Sequence, residues 1–319
     1  MTDEALPQWD SDSLVCMEGL DYLTDVDSKS IDLVLTDPPY ITSRDSGMDR
    51  WVDHVKNVND NNLQFRTEAQ WRAHRTAADW KEWARKGGYL PGKQRVNALR
   101  EAKRNFLKYG SIYGAKYAVR TDYGDWDSGF TMEQLAQFVE QYYRILKPAG
   151  TCIIFFDLWK ITHVRTIMEQ WGFKQIRFLE WVKTNPQPLN SGRNYLTNSR
   201  EVALLGVKGG KPTFHSKYDS GVYSYPIQGG KFRLIPTQKN TELIKELIEK
   251  HSNPGDVVLD TFAGSGTTAM AAHLSGREFQ GCELDEEMWK KSITRIQGEI
   301  QWRRKIKSES LKQRKRKRP

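Results

Sequence analysis

The chain has 319 residues and a net charge of +9, and its composition excludes several classes of protein. No apolar run approaches the ~20 residues of a membrane span, and the polar first 12 residues lack the pattern of a signal peptide. The distant cysteines and histidines show no spacing typical of a disulfide framework or a metal site. We expect a soluble cytoplasmic protein with three reduced thiols in strands, at Cys16, Cys152 and Cys282.

The positive charge is concentrated in two segments of the chain. Residues 41–120 hold 17 Lys and Arg against 8 Asp and Glu, and residues 302–319 hold 10 against 1. The remaining residues hold 22 basic against 31 acidic side chains, so they form an acidic body with two basic appendages. A polyanionic partner is the direct explanation of this uneven distribution.

Strand and helix patterns alternate along the chain. In chain order they predict a strand at 13–17, a helix at 20–23, a strand at 31–36, short helices after residue 67, a helix at 131–146, a strand at 151–156, a helix at 161–171, strands at 175–182 and 201–207, a loop at 209–234, a helix at 240–251, strands at 257–260 and 279–283, and a helix at 286–301. Thr131 and Gln134 have the spacing of a capping box. This alternation is typical of an α/β protein.

The first chemical motif follows the strand at 31–36. Asp37, Pro38, Pro39 and Tyr40 come directly after the apolar β-branched run. Because proline cannot donate to a strand ladder, the chain must leave the sheet here and present a carboxylate and an aromatic ring. Ligands of open α/β sheets bind at this end of the strands.

The second motif follows the strand at 257–260. Asp260 ends this strand, and the glycine-rich turn 261–268 leads into a small-residue helix. Gly264 and Gly266 allow the backbone to approach a ligand closely. A phosphate-binding P-loop would have a lysine after its last glycine, but Thr267 stands there, so the turn favours a nucleotide-like ligand without that phosphate contact.

Together, Thr-Asp-Pro-Pro-Tyr and Asp-Thr-Phe-Ala-Gly-Ser-Gly-Thr-Thr resemble the motifs of S-adenosylmethionine-dependent DNA amino-methyltransferases, in the order of their permuted beta class. The resemblance covers residues 12–40 and 122–298. It implies a Rossmann-like, seven-stranded methyltransferase sheet with the glycine-motif strand beside the Asp37 strand. The strands ending at Glu283 and Glu18 would lie on one side of this pair and the later strands on the other, the last two as an antiparallel edge hairpin.

The resemblance assigns catalysis to Asp37, Pro38, Pro39 and Tyr40. An exocyclic amine of a base is a poor nucleophile. The Asp37 carboxylate and the Pro38 carbonyl would accept hydrogen bonds from it and stabilise the positive charge that develops on nitrogen. Tyr40 would stack on a base that has left the duplex. The nitrogen attacks directly, and no cysteine nucleophile or metal is required.

The resemblance also assigns residues around S-adenosylmethionine. Glu283 would hold the ribose hydroxyls, Glu18 would lie near the adenine, and Thr237 and Lys239 would offer a hydroxyl and a cation to the methionine carboxylate. Thr237 has the alternative of capping the following helix. The complete set is Glu18, Asp37, Thr237, Gln238, Lys239, Asp260, Phe262, Ala263, Gly264, Ser265, Gly266, Thr267, Glu283 and Leu284.

DNA contacts are expected from two parts of the chain. The Trp181–Pro186 stretch resembles the family's loop beside the flipped base, which makes Lys183 and Asn185 candidates. The basic insertion 41–121, outside the resemblance, is expected to be mainly helical and to recognise DNA through Arg72, Arg75, Lys81, Arg85 and Lys86. The catalytic domain would comprise 1–40 and 122–301, with a second recognition loop at 208–234 and a disordered basic tail at 302–319.

The function that the resemblance implies is site-specific methylation of adenine N6 in double-stranded DNA, within a nucleoid-associated restriction-modification enzyme. Within the family that the chain resembles, aspartate before Pro-Pro-Tyr favours adenine and serine favours cytosine, so cytosine N4 is the alternative. An RNA methyltransferase and a catalytically inactive DNA-binding protein stay open as further alternatives. A homodimer and a cognate restriction endonuclease are the other partners that the resemblance suggests.

Overall fold

A computed structural model of the chain describes residues 9–40, 57–64, 66–74, 93–110, 130–186 and 197–316. By its internal contacts the chain divides into two units, residues 1–41 with 125–319 and residues 42–124. None of the described helices combines the length and apolar composition needed to cross a membrane.

The described elements follow the predicted alternation closely. They are β1 (Leu14–Cys16), α1 (Gly19–Thr24), β2 (Ile31–Thr36), α2 (Glu68–His74), α3 (Lys93–Tyr109), α4 (Met132–Ile145), β3 (Leu146–Phe156), α5 (Ile161–Gln170), β4 (Lys174–Lys183), β5 (Arg200–Val207), β6 (Val222–Tyr225), α6 (Thr241–His251), β7 (Val257–Asp260), α7 (Thr267–Leu274), β8 (Glu278–Glu283) and α8 (Glu286–Arg316). Helices α2 and α3 belong to the smaller unit.

The larger unit is built on one mixed sheet with the strand order β1-β8-β7-β2-β3-β5-β4-β6. Strands β1, β8, β7, β2 and β3 are mutually parallel, and β5 runs antiparallel to both β3 and β4. Strand β6 is parallel to β4, so β5 is the one reversed strand of the described sheet. The α/β methyltransferase-type fold predicted from the sequence is confirmed. The edge at which the seven parallel strands end and β5 begins is called here the carboxyl edge.

Strand β6 is an addition to the seven predicted strands. It lies within the segment 209–234, which was predicted to be loop, and pairs with the end of β4 from Glu180↔Val222 to Lys183↔Tyr225. Its four residues alternate between exposed and buried, with Tyr223 buried, but a run this short gives little periodic signal. The hairpin of β4 and β5 therefore does not form the edge of the sheet, because β6 covers it.

The last helix is also longer than predicted. Helix α8 continues to Arg316, whereas the sequence predicted a helix end at residue 301 and a disordered tail. Residues 299–316 contain no glycine or proline and are rich in lysine, arginine, glutamine and glutamate, which have good helix propensity. This local preference outweighs the repulsion between like charges on which the tail prediction rested.

Local signals explain where the other helices begin. Thr131 and Gln134 form the predicted capping box at the start of α4. Helix α6 is capped by Asn240, whose side chain accepts hydrogen bonds from the amides of Glu242 and Leu243. The alternative role of Thr237 as the cap of this helix is therefore wrong. The sequence predicted a helix end at residue 146 and a strand start at residue 151. In the structure β3 already begins at Leu146, and its register against β2 shifts between Leu146 and Thr151.

Two apolar clusters cover the two faces of the sheet, one packed with α6 and α7 and the other with α4 and α5. Cys152 and Cys282 are buried free thiols, but Cys16 is exposed because it ends the short outermost strand β1. In the smaller unit, Trp71 and Phe106 form a separate core, with ring centroids 5.5 Å apart. Trp80, Trp83 and Leu90, whose spacing contributed to the prediction of helices after residue 67, lie outside the described residues.

Candidate active site

The Asp37–Tyr40 turn lies at the carboxyl edge, directly after the central strand β2. Its Asp37 Oδ2 accepts a hydrogen bond of 2.5 Å from Lys239 Nζ. The second oxygen, Oδ1, is buried and accepts no hydrogen bond of good geometry from the residues that the structure describes, although the Tyr40 hydroxyl interacts with this carboxylate. A buried carboxylate oxygen without a donor is unfavourable on its own, so it is suited to receive one from a ligand.

Lys239 links Asp37 to a second, partly buried carboxylate. Its Nζ lies 2.8 Å from Glu201 Oε2, and Glu201 Oε1 lies 2.7 Å from Lys183 Nζ. The four groups alternate in charge and come from the turn after β2, the segment before α6, the start of β5 and the end of β4. Since β5 is the reversed strand, its first residues lie at the same edge as the ends of its neighbours, which brings Glu201 into the site.

Burial and charge act in opposite directions on this cluster. Burial raises the pKa of Asp37, while Lys239 lowers it and Glu201 raises it further. Burial acts to lower the pKa of Lys239, but the carboxylates of Asp37 and Glu201 outweigh it and hold the pKa well above its usual value. Burial also acts to raise the pKa of Glu201, yet Lys239 and Lys183 bring it below its usual range. Lys239 is therefore a fixed cation between two carboxylates.

Tyr40 forms one wall of the site. Its ring packs against Phe156 at the end of β3, with centroids 5.8 Å apart, and Lys239 Nζ lies 5.6 Å from the ring centroid. The Tyr40 hydroxyl is buried and interacts with the Asp37 carboxylate, but it makes no hydrogen bond of good geometry with the described residues. Pro38 is buried and Pro39 partly buried, so the turn is packed into the edge of the sheet.

The glycine-rich turn follows β7, the strand next to β2. Gly264 has a φ of 51° and Gly266 a φ of 74°, values that favour glycine. A Cβ at Gly266 would lie 2.7 Å from Ile296 Cδ1 of helix α8, so the residue is also required for close packing. The Gly264 amide donates to Glu283 Oε2 at 2.7 Å, and the Asp285 amide donates to Glu283 Oε1.

The residues around Glu283 fit the adenosine part of S-adenosylmethionine. Burial raises the pKa of this carboxylate, which is held in place by two backbone amides and still has lone pairs for ribose hydroxyls. The exposed side chains of Met17 and Leu284 flank it and offer apolar surface to a purine ring. The Met17 amide donates to the Glu283 carbonyl, which joins β1 to β8 at this point.

Other predicted cofactor residues lie near the same edge but have structural contacts. Glu18 caps α1 by accepting from the amides of Leu20 and Asp21. Asp260 accepts from the Thr36 hydroxyl and the Phe262 amide, and burial raises its pKa to about 6. These two carboxylates therefore orient the turns that follow β1 and β7.

The remaining predicted side chains differ in exposure. Gln238 is buried and binds the backbone of residues 232 and 234, whereas Thr237 is exposed. Phe262 packs on Phe138, with ring centroids 4.7 Å apart. The turn residues Ala263, Ser265 and Thr267 are buried, and the Ser265 and Thr267 hydroxyls lie 3.1 Å apart.

The predicted DNA-binding residues are placed as follows. Lys183 is engaged with Glu201, and the Asn185 side chain accepts from the Ile227 amide at 2.7 Å. Arg72 is exposed on α2. Arg75, Lys81, Arg85 and Lys86 lie outside the described residues.

Glu201 is the site residue that sequence reasoning missed. Arg200 and Glu201 begin an apolar strand, where charged residues are common, and no motif marks them. Only the reversal of β5 and the position of Lys239, 202 residues from Asp37, bring these groups together.

Comparison with known proteins assigns the chain to a family. A family model described as DNA methylase, of the N6/N4 type, matches residues 31–294. The chain therefore belongs to the N6/N4 DNA methylase family. It is 33% identical over 217 residues to the type II methyltransferase M2.DpnII of Streptococcus pneumoniae, an alignment that spans 61% of this chain and 80% of that protein. It is 31% identical over 197 residues to M2.LlaDCHI of Lactococcus lactis subsp. cremoris, spanning 56% and 73%.

Solved structures share the fold at lower sequence identity. The complex of M1.HpyAVI with SAM superimposes with a TM-score of 0.53 at 20% identity, covering 89% of this chain and 98% of that one. The cytosine-N4-specific PvuII DNA methyltransferase gives a TM-score of 0.54 at 15% identity, covering 89% and 90%.

Proposed function

We propose that this chain transfers the methyl group of S-adenosylmethionine to the N6 amino group of an adenine that has left the DNA duplex. The observation that carries the proposal is the Asp37 carboxylate, in which Oδ2 is held by Lys239 and Oδ1 is buried without a hydrogen bond of good geometry from the described residues. An acceptor of this kind suits a hydrogen of an exocyclic amine. Aspartate at the head of Asp-Pro-Pro-Tyr favours adenine over cytosine as the target base.

The chain's own residues would activate the amine. When bound, S-adenosylmethionine supplies a methyl group on a positively charged sulfur. Asp37 Oδ1 and the Pro38 carbonyl each accept a hydrogen bond from the amine, which stabilises the positive charge developing on the nitrogen. Because burial raises the pKa of Asp37, against the effect of Lys239, the carboxylate can also take the proton that the nitrogen releases. Tyr40 supplies a ring for the extruded base, offsetting part of the cost of unstacking.

The test identifies the methylated base. The protein is incubated with duplex DNA and methyl-labelled S-adenosylmethionine, and the digested nucleosides are separated by chromatography. We expect label in N6-methyldeoxyadenosine, with Asp37→Ala as a variant that forms no product while its cofactor affinity stays within about tenfold. Label in N4-methyldeoxycytidine would assign the alternative base. A parallel reaction contains RNA in place of DNA. Label in RNA but not in DNA, or no transfer to either by the wild-type protein, would overturn the proposal. Methylation-sensitive sequencing of DNA from expressing cells gives the recognition site.

We further infer that the basic insertion 41–121 supplies most of the contacts with DNA phosphates. Its excess of basic residues supports this role, and the acidic body and the loop 208–234 offer less charge. Replacing Arg72, Arg75, Lys81, Arg85 and Lys86 with alanine should flatten the slope of log affinity against log salt by ~0.9 for each phosphate that the variant no longer binds. Cofactor binding, measured by calorimetry, should be unchanged. An unchanged salt slope and site preference would make the insertion a structural or dimerisation element. A homodimer and a cognate endonuclease stay predictions.

A further inference from the structure

One aromatic side chain at the carboxyl edge has no role in the site described above. Trp159 follows β3 by three residues and is 84% exposed, the highest exposure of the tryptophans that the structure describes. Leu158 beside it is 48% exposed. A single exposed apolar residue is ordinary on a protein surface, so the position of this pair has to carry the argument.

The turn that carries Trp159 is held firmly. The Trp159 amide donates to Asp157 Oδ1 at 2.7 Å, and the Lys160 amide donates to the Asp157 carbonyl at 3.1 Å. The His163 amide then donates to the Lys160 carbonyl, which starts helix α5. Because the backbone of the turn is already fixed, stacking would cost only the freedom of the Trp159 side-chain torsions.

The sheet order places this turn beside the proposed base pocket. Strand β3 is the neighbour of β2, about 4.8 Å away in the hydrogen-bonding direction. Phe156, the last residue of β3, contacts Tyr40. The Trp159 Cα lies at most about 11 Å from the Phe156 Cα, because three peptide units separate them.

The same order separates Trp159 from the cofactor side. Glu283, Met17 and Leu284 follow β8 and β1, which lie on one side of β2, while Trp159 follows β3 on the other. Asp37 stands between the two groups. The exposed apolar pair at β3 is therefore on the side of Asp37 left for the polynucleotide rather than for the cofactor.

We propose that Trp159 stacks on an unstacked base of the DNA substrate next to the extruded target nucleotide. This inference rests on the proposed function, since it takes the Asp37 pocket as the site of the target base. An indole ring offers a flat apolar face to any base, so the contact contributes affinity and helps to hold the opened duplex without reading sequence.

The test compares Trp159→Ala and Trp159→Phe with Trp171→Ala. Trp171 follows the other end of α5, away from the carboxyl edge, and is 37% exposed, which makes it a matched control. With a short duplex carrying the mapped methylation site, Trp159→Ala should weaken binding by about 5- to 150-fold, the range for one stacked base. Trp159→Phe should stay within about threefold of wild type, and Trp171→Ala should bind as wild type does.

Two further readouts separate stacking from other roles. The quenching of tryptophan fluorescence on DNA binding should be smaller in Trp159→Phe than in wild type, because the stacked indole is gone. Cofactor affinity and the thermal midpoint should not change, since the side chain is exposed. Equal DNA affinity of Trp159→Ala and Trp171→Ala, full quenching in Trp159→Phe, or a loss of cofactor affinity in Trp159→Ala would overturn the inference. Wild-type transfer to DNA is measured in parallel, and its absence would instead contradict the proposed function.

Discussion

At the scale of single residues, the pKa of Asp37 depends on two neighbours, one a cation and the other an anion. Lys239 lies against its Oδ2, and Glu201 lies on the other side of Lys239. Burial raises the pKa of Asp37, Lys239 lowers it and Glu201 raises it. Lys239 was expected to offer its charge to the cofactor, but in the structure two carboxylates already share that charge. We therefore expect it to set the ionisation of Asp37.

Substitutions of the two neighbours should move the pH dependence of methyl transfer in opposite directions. Removing the cation in Lys239→Met raises the pKa of Asp37, so the acid limb of the single-turnover rate should move to higher pH. Removing the anion in Glu201→Gln lowers that pKa and should move the limb to lower pH. The measurement is the rate as a function of pH at saturating cofactor. Shifts of both variants in the same direction would contradict this arrangement.

Glu283 is the residue on which the cofactor assignment depends most. Glu283→Ala should weaken S-adenosylmethionine binding by about 1–3 kcal/mol, the range for removing a partner of buried hydroxyls. Titration calorimetry measures this loss, and turnover at saturating cofactor should survive. Asp12→Ala, an exposed carboxylate before β1, serves as the control with unchanged affinity. A folded Glu283→Ala protein with wild-type affinity would show that another group holds the ribose.

At the scale of elements, the pairing of β7 with β8 positions both Asp260 and Glu283. Asp260 is opposite Gly281 in this ladder, and a Cβ at residue 281 would collide with the Asp260 carbonyl oxygen. No side chain fits there without separating the strands. Glycine at this position is what lets the two carboxylates end their strands side by side.

Gly281→Ala should therefore destabilise the fold and weaken the cofactor site together. We expect a loss of about 1–3 kcal/mol in the free energy of unfolding, typical of overpacking, and a lower cofactor affinity. Gly298→Ala is the matched control, because its Cβ would meet only Phe232 at 3.8 Å and alanine favours a helix by about 1 kcal/mol. Urea unfolding and calorimetry check both variants. Equal stability of the two would show that β7 and β8 can separate without cost.

At the scale of the whole molecule, a buried histidine ties stability to pH. His251 ends α6, its Nε2 has no hydrogen-bond partner among the described residues, and burial lowers its pKa to about 4. Asp219 acts to raise this pKa and Lys250 to lower it. The unfolded chain binds a proton at this residue near pH 6.5, but the folded chain does not. The contribution of neutral His251 to the free energy of unfolding is therefore present above pH 6.5 and is lost as the pH falls towards 4.

His251→Gln should remove this part of the acid sensitivity. Between pH 7 and pH 5 the wild-type protein should lose about 2 kcal/mol more of its free energy of unfolding than the variant does. The comparison of variant with wild type cancels other titrating groups, including Asp260. His163→Gln, at an exposed position, should behave as wild type. The free energies come from urea unfolding at the two pH values, and equal losses in all three proteins would contradict the assignment.

The sequence by itself determined most of the elements and the edge at which they present chemistry. Apolar periodicity, the Thr131 capping box and the two prolines after Thr36 are local signals, and each acts within a few residues of the structure it specifies. Parallel strands end at one edge, so the strand ends at residues 37, 260 and 283 were expected to converge, and they do. The weak signals were also local: β6 is too short to show a period, and the helical propensity of residues 302–316 was masked by their charge.

Only the tertiary structure decided which charged groups meet at the catalytic turn. Lys239 is 202 residues from Asp37, and no local pattern indicates whether its ammonium group lies against that carboxylate or against a ligand. Glu201 enters the site because β5 runs opposite to its neighbours. The turn that carries Trp159 follows the strand next to β2 because β3 pairs with β2. These contacts depend on strand order and side-chain packing. Interactions between residues distant in sequence form only when the sheet has assembled. The sequence therefore proposed Asp37 and Lys239 as site residues but not the contact between them, and it did not propose Glu201.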